Sequence, residues 1–146
     1  MLNDKLAAYV ENIKQSDVTG ALLFLDLDNF KLINDQHGHE VGDRVLQKVS
    51  KVLKEKVRNS DVVARFGGEE FIILFTNTDQ EHALTVCEMI RKAIEEAEMP
   101  KHVNNITTSI GVSVVGDDDS INQVIKRADK ALYEAKNKGR NQIVID

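Results

Sequence analysis

The spacing of apolar residues changes along the chain from a helical period to unbroken runs and back, and so marks out its elements. Between residues 2 and 15, Leu2, Leu6, Tyr9, Val10 and Ile13 fall at helical spacing and predict an amphipathic helix. "ALLFLDLD" (21–28) instead sets five apolar residues in a row before Asp26, the pattern of a central strand covered on both faces. "NFKLINDQHGHEVGD" (29–43) reads as a short helix broken at Gly38. A longer helix follows from Asp43, with Val45, Leu46, Val49, Val52, Leu53 and Val57 as its stripe. Asp61 to Phe66 and Glu69 to Phe75 read as the arms of a hairpin, with Gly67-Gly68 as a two-residue turn whose glycines accept positive φ. From 79 to 98 a helix turns Ala83, Leu84, Cys87, Ile90, Ile94 and Ala97 inward. "NITTSIGVSVV" (105–115) reads as a long strand and "GDDD" as an acidic loop. A helix over about 121–138 carries Ile121, Val124, Ile125, Ala128, Ala131, Leu132 and Ala135 on one side, and "NQIVI" closes the chain as a strand. Pro100, the one proline, lies in a loop-like stretch.

The order α-β-α-α-β-β-α-β-α-β has one direct strand-to-strand link, which requires an antiparallel pair, while the other strands are joined by helical crossovers. This predicts an α/β (α+β) domain: a ferredoxin-like or palm-type β-α-β-β-α-β core, with a mixed but mainly antiparallel sheet, flanking helices and an extra C-terminal strand. The fold hosts many activities, so side-chain chemistry has to decide between them.

Composition narrows the choice. At 146 residues, 42% hydrophobic and 29% charged, the chain suits one ordinary folded domain, taken as residues 1–146. The net charge of −5 argues against non-specific nucleic-acid binding but permits a phosphate ligand if a cation and local Lys or Arg offset the repulsion. No apolar stretch reaches the roughly 20 residues of a membrane helix. A single cysteine, Cys87, forms no internal disulfide, which suits a cytoplasmic location; on the apolar stripe of its helix it reads as a core residue.

Two acidic groups draw attention. Asp26 ends the most apolar strand, and Glu69 and Glu70 sit at the tip of a greasy hairpin. In a β-α-β-β-α-β core these segments are neighbours, so Asp26, Glu69 and either Asp28 or Glu70 are expected to converge at one sheet edge. Clustered carboxylates repel unless a hard cation lies among them, and Mg²⁺ suits oxygen ligands with a phosphate substrate. The alternative is that the glutamates are solvated turn residues and Asp26 only ends a strand. An unpaired buried charge is costly, however, and that favours metal.

Around this edge, Lys31 is placed to reach a phosphate or to be a solvated first-turn lysine. Lys136 and Arg140, in "AKNKGRN", read as phosphate contacts or as cations favoured by a helix C-terminus. Asp43 and Asn34 could together read the guanine edge, though Asp43 could equally be a helix N-cap. His37 and His39 have an H-x-H spacing, but without a third histidine or cysteine nearby packing or turn roles fit better than zinc.

Taken together, "FLDLDNFKLINDQHGHEVGDRVL", "RFGGEEF", "TTSIGV" and "ADKALYEAKNKGRN" resemble, in order and spacing, the GGDEF family of diguanylate cyclases from about residue 20 to 144. The resemblance implies condensation of two GTP molecules into cyclic di-GMP with release of two pyrophosphates. It implies Asp26, the Leu27 carbonyl, Glu69 and Glu70 as ligands of Mg²⁺, with Mn²⁺ as an alternative, and Asp26, Glu69 and Glu70 as the catalytic acids. It further implies Gly67 and Gly68 as points of close approach to the phosphates, Asn34 and Asp43 as guanine readers, Lys31, Lys136 and Arg140 as phosphate clamps, and Phe30 as a pocket wall.

Because each domain holds one GTP, the resemblance also implies a second copy of the domain as catalytic partner. "RNSD" (Arg58 to Asp61) matches the family's R-x-x-D product-inhibition motif, with a helix-end arginine and a strand-capping aspartate as the alternative. It lies roughly 15–20 Å from the turn at about 3.3 Å per residue, so inhibition would act through domain arrangement. The family's D-x-L-T-G-L-x-N-R segment is missing ahead of the first helix. This suggests a fragment of a longer protein with an upstream sensory or dimerising domain, weakly active or inactive alone, its parent attached to a membrane or not. A second reading is a non-catalytic GTP or cyclic di-GMP binding module.

Overall fold

The structure is a computed structural model that describes residues 2–15, 19–104 and 106–146. Its elements are α1 (Leu2–Gln15), β1 (Gly20–Leu27), α2 (Phe30–His37), α3 (His39–Lys56), β2 (Val62–Arg65), β3 (Glu70–Thr76), α4 (Gln80–Glu96), a 3₁₀ turn (Pro100–His102), β4 (Thr108–Val114), α5 (Ile121–Asn137) and β5 (Ile143–Ile145). The sheet order is β2-β3-β1-β4-β5, antiparallel throughout except for the parallel β4–β5 pair. This is the mixed α/β architecture expected from the element order, with the β-α-β-β-α-β core and the extra last strand.

Alternation along β1 splits the core into two layers. Ala21, Leu23, Leu25 and Leu27 face α2, α3 and α4, joined there by Phe71, Ile73, Val45, Val49 and Ile90. Leu22 and Phe24 face α1 and α5, against Leu6, Val10, Val124, Ala128 and Leu132. Asp26 is the next residue in this second set, so it lies on the α5 side of the sheet. Gly111 makes the α5 contact close: a Cβ there would overlap the backbone of Ala128 and Leu132.

Several boundaries differ from the sequence reading. The long helix α3 begins at His39 rather than Asp43, because Gly38 (φ 90°, ψ 160°) both ends α2 and starts α3. Asp43 is therefore inside the helix, not its N-cap. The hairpin connection is three residues long: Phe66 N–H donates to the Glu70 carbonyl at 2.9 Å, leaving Gly67, Gly68 and Glu69 between. Neither glycine is in the left-handed region, so the two-residue positive-φ turn is not formed. The Arg65 guanidinium braces this loop instead, donating to the Gly68 carbonyl at 2.6 and 3.2 Å.

β2 lacks Asp61 and Phe66, β4 is shorter than 105–115, and β5 starts at Ile143; Pro100 begins a 3₁₀ turn. Asn105, and the side chains of Leu2 and Ile13 in the α1 stripe, lie outside the described residues. The last two long helices start at side chains that cap them. Asp79 caps the N-terminus of α4 by accepting from His82 N–H at 2.8 Å, and Ser120 and Gln123 form a reciprocal capping box at the start of α5.

Candidate functional site: a carboxylate cluster at the sheet edge

The β1–β3 register pairs Asp26 with Glu70, and Leu27 N–H donates to the Glu69 carbonyl at 3.4 Å. Carboxylates from β1, from β3 and from the β2–β3 connection thus meet on the α5 side. Asp26 is 5% exposed. Its Oδ2 contacts the Lys136 ammonium, while its Oδ1 is buried without a hydrogen-bond partner. Glu69 is pushed above the ordinary carboxylate range by burial and then by the Asp26 charge. Glu70 is pushed up as well, first by burial and then by Asp26 and Asp129.

The electrostatics are those of a site short of positive charge. Lys136 is a cation already drawn to it. The orphaned Asp26 oxygen and the proton-hungry glutamates are the donor set that a hard divalent cation takes, so these residues fit one. Among the described residues no three such groups already stand at ligating geometry.

The other anticipated residues fall into three groups. Phe30 (buried) and Asn34 lie on α2 against α3, with Asn34 Oδ1 buried and unpartnered. A Cβ at Gly42 would overlap that oxygen and come 3.2 Å from Phe30 Cζ. Asp43 follows Gly42 and is exposed, as is Lys31 on α2. Arg140 is exposed in the loop after α5, with φ 63°. Gly68 has open space where a Cβ would be, and at Gly67 a Cβ would meet only the Glu70 carboxylate.

Asp28 does not join the cluster. It turns to the β4 side, where it accepts from Thr107 Oγ1 (2.7 Å), Ser109 Oγ (2.6 Å) and Asn141 N–H (3.0 Å). Of the two acids set beside Asp26 and Glu69, the partner is Glu70. His37 ends α2 and His39 opens α3, both exposed.

The R-x-x-D pair is closed on itself. Arg58 donates to Asp61 through Nη2 (3.0 Å), Nε (3.3 Å) and its backbone N–H (2.9 Å), and Asp61 also accepts from Thr76 N–H at 3.2 Å. Arg58 Nη2 further reaches the Thr76 carbonyl and Thr78 Oγ1 (2.9 Å). The Asp61 side chain is 2% exposed and that of Arg58 49%, so the arginine alone offers itself outward.

Sequence reasoning missed Arg65, Gly42 and Asp129. Asp129 had a visible signal: it stands seven residues before Lys136, hence on the same helical face.

The fold and this edge define an α/β domain with a cation-attracting, carboxylate-lined site. The model of the family described as "Diguanylate cyclase, GGDEF domain" matches residues 1–142, and the chain belongs to the GGDEF family. It is 47% identical over 131 residues to diguanylate cyclase A of Treponema denticola, covering 87% of this chain and 35% of that protein. The chain thus spans about a third of the length of that curated relative.

Among solved structures, the active GGEEF domain of a diguanylate cyclase from Vibrio cholerae superposes with a TM-score of 0.92 at 36% identity, covering 99% of this chain and 93% of that one. The GGDEF domain of DgcB from Caulobacter crescentus, in complex with c-di-GMP, gives 0.93 at 31% identity, covering 99% and 87%. Family membership implies dependence on a divalent metal. No helix among the described residues is long and apolar enough to cross a membrane.

Proposed function

We propose that this domain is one half of a diguanylate cyclase, binding one GTP and a divalent cation, Mg²⁺, and joining two GTP into cyclic di-GMP when two copies meet face to face. The observation that carries the reading is the convergence of Asp26, Glu69 and Glu70 on one edge, with the Asp26 Oδ1 left without a partner. Asp26, the Leu27 carbonyl and Glu69, with Glu70 beside them, would hold the metal. When bound, it supplies charge neutralisation for the transferring phosphoryl group and the departing pyrophosphate.

The chain's own residues do the rest. Gly67 and Gly68 leave the loop backbone open to the triphosphate. Lys31 and Arg140, both exposed, take its outer oxygens, and Lys136 shares its charge between Asp26 and the phosphate. Phe30 walls the base. The free acceptor of Asn34 and the carboxylate of Asp43 accept from guanine N–H groups, which adenine's edge does not match. Each 3′-hydroxyl then displaces pyrophosphate from the other molecule's α-phosphorus, and two such steps close the ring. On this reading Glu69, beside the metal, would also assist deprotonation of that hydroxyl. Arg58, through its exposed guanidinium, is the proposed contact to bound product.

The test is pyrophosphate release by the domain fused to a dimerising partner, supplied with GTP and Mg²⁺. Release that disappears in Asp26→Asn and Glu69→Gln supports the reading. Tight GTP binding by the unaltered domain with no release sinks it and leaves a binding module.

A further inference from the structure

The loop after α5 takes an unusual path. Gly139, Arg140 and Asn141 have φ of 117°, 63° and 49°, three successive residues in the left-handed region. Glycine tolerates this and asparagine visits it readily as a single residue, but arginine is strained there, and such strain persists only where surroundings over-determine it. Here they do. Asn141 N–H donates to Asp28 Oδ2 at 3.0 Å, its carboxamide oxygen accepts from Arg91 Nη1 at 2.7 Å, and its amide nitrogen donates to Glu95 Oε2 at 2.6 Å. Asp28 is itself 5% exposed and fixed by Thr107 and Ser109 at the start of β4. Arg91 is held in turn by Glu88. Arg140 is anchored by its backbone, N–H to the Ala135 carbonyl at 3.0 Å and carbonyl to Gln142 Nε2 at 3.0 Å, while its side chain stays exposed.

We infer that Asn141 is a positioning residue: a clamp of Asp28 at the end of β1 with Arg91 and Glu95 on α4 holds it, and thereby points Arg140 at the phosphates of the bound nucleotide. The inference rests on the assignment of Arg140 to those phosphates. None of the clamp residues needs to touch the ligand. Their joint effect is to select one backbone conformation for Arg140 from the many that a loop following a helix would otherwise sample, and that lowers the ordering cost when the phosphate arrives. The polar groups of the clamp come from β1, β4, α4 and the loop, so no single element's packing explains why they meet on one asparagine.

The test compares binding of GTP and of guanosine, with Mg²⁺ present, by the full chain and its variants. Asn141→Gly permits the left-handed φ but removes both side-chain bonds. It is expected to weaken GTP binding about tenfold and leave guanosine binding unchanged, the cost of losing one well-placed charged contact. Arg140→Ala should show the same pattern, and the double variant should be no weaker than Arg140→Ala alone.

Arg91→Met should follow Asn141→Gly, with Arg91→Lys restoring binding because it keeps a donor for the carboxamide. This second pair decides the matter if Asn141→Gly fails to fold. GTP binding lost in Arg140→Ala but intact in Asn141→Gly and Arg91→Met overturns the clamp and leaves the Arg140 assignment standing. Unchanged GTP binding in Arg140→Ala overturns that assignment, and the clamp with it. Equal losses of GTP and guanosine in Asn141→Gly show general damage and also overturn the proposal.

Discussion

The Lys136 ammonium rests on the Asp26 carboxylate, although 110 residues separate the two in sequence. One oxygen of Asp26 is thereby satisfied and the other is not. The lysine is a third exposed while the aspartate side chain is 7% exposed, so the pair is anchored on the carboxylate side.

Removing the lysine leaves three carboxylates facing one another. Lys136→Met should lower stability by about 1–2 kcal/mol in the absence of divalent metal, less than a fully buried pair would cost because the lysine is partly solvated. Mg²⁺ should restore most of the loss, since a cation at the cluster supplies the missing charge. Thermal melts with EDTA and with Mg²⁺ check both halves, and a loss that Mg²⁺ does not reverse argues against the cluster as a cation site.

The raised proton affinities of Glu69 and Glu70 make stability depend on pH in a definite sense. An acid with its folded-state pKa above the ordinary value near 4.5 binds its proton more tightly when folded. Its stabilising contribution is complete below that value and is lost as pH rises through the folded-state pKa. Relative to a Glu69→Gln/Glu70→Gln variant, the metal-free domain should therefore lose stability as pH rises from 4.5 upward, and Mg²⁺ should narrow the gap. Melting temperatures of both proteins from about pH 4 to about pH 8 give the sign directly.

Cys87 is fully buried on α4, and burial pushes its thiol well above the ordinary range. A thiol that stays protonated and out of solvent is a poor nucleophile. A thiol reagent should therefore modify it only at the rate at which the domain opens, and Ile90→Ala, which weakens the same packing, should speed labelling. Rapid stoichiometric labelling of the native protein would contradict the buried position.

Much of this fold was legible in the sequence because burial leaves period-2 and period-3.6 traces. The eight residues of β1, all buried, announced a central strand, and the stripe from Val45 to Leu53 announced α3. What the pattern does not carry is backbone geometry set by one residue. Gly38 lets α3 start at His39, six residues before the stripe that opens at Val45, and the glycines of the hairpin tip do not take the φ values that a two-residue turn would need.

The carboxylate convergence was readable because the element order makes β1 and β3 antiparallel neighbours, which brings the end of β1 beside the start of β3. The fate of Asp28 was not, since its hydroxyl partners Thr107 and Ser109 lie about 80 residues away and only the folded sheet brings them to it.

Gly111 illustrates the same limit. In "TTSIGV" it looks like a weak point in a strand, yet α5 crosses β4 so closely that a Cβ would overlap the helix backbone. Backbone cannot yield as a flexible side chain does. Gly111→Ala should lower stability by about 3 kcal/mol or more, at or beyond the upper end of ordinary overpacking. Gly68→Ala, which meets open space, should change stability little while weakening nucleotide binding. Denaturant melts of the two variants side by side make the comparison.

On the proposed reading of the base by Asn34, Gly42 bears on specificity. Its missing Cβ leaves room for the Asn34 carboxamide, held beside Phe30 with its oxygen unpartnered. The alanine variant must push Asn34 aside, because the overlap is with a side chain already confined by its neighbours. The helices need not come apart, so the effect should fall on ligand choice more than on folding. Gly42→Ala is expected to weaken GTP binding roughly tenfold and ATP binding scarcely at all, since guanine sets two N–H donors, N1–H and N2–H, side by side for the displaced oxygen and Asp43 to accept from, whereas adenine has an acceptor at N1. Asn34→Ala should reproduce that loss, and the double variant should add little to it. Competition binding of GTP and ATP to the three variants measures this, and an equal loss for both nucleotides would remove Asn34 from the reading of the base.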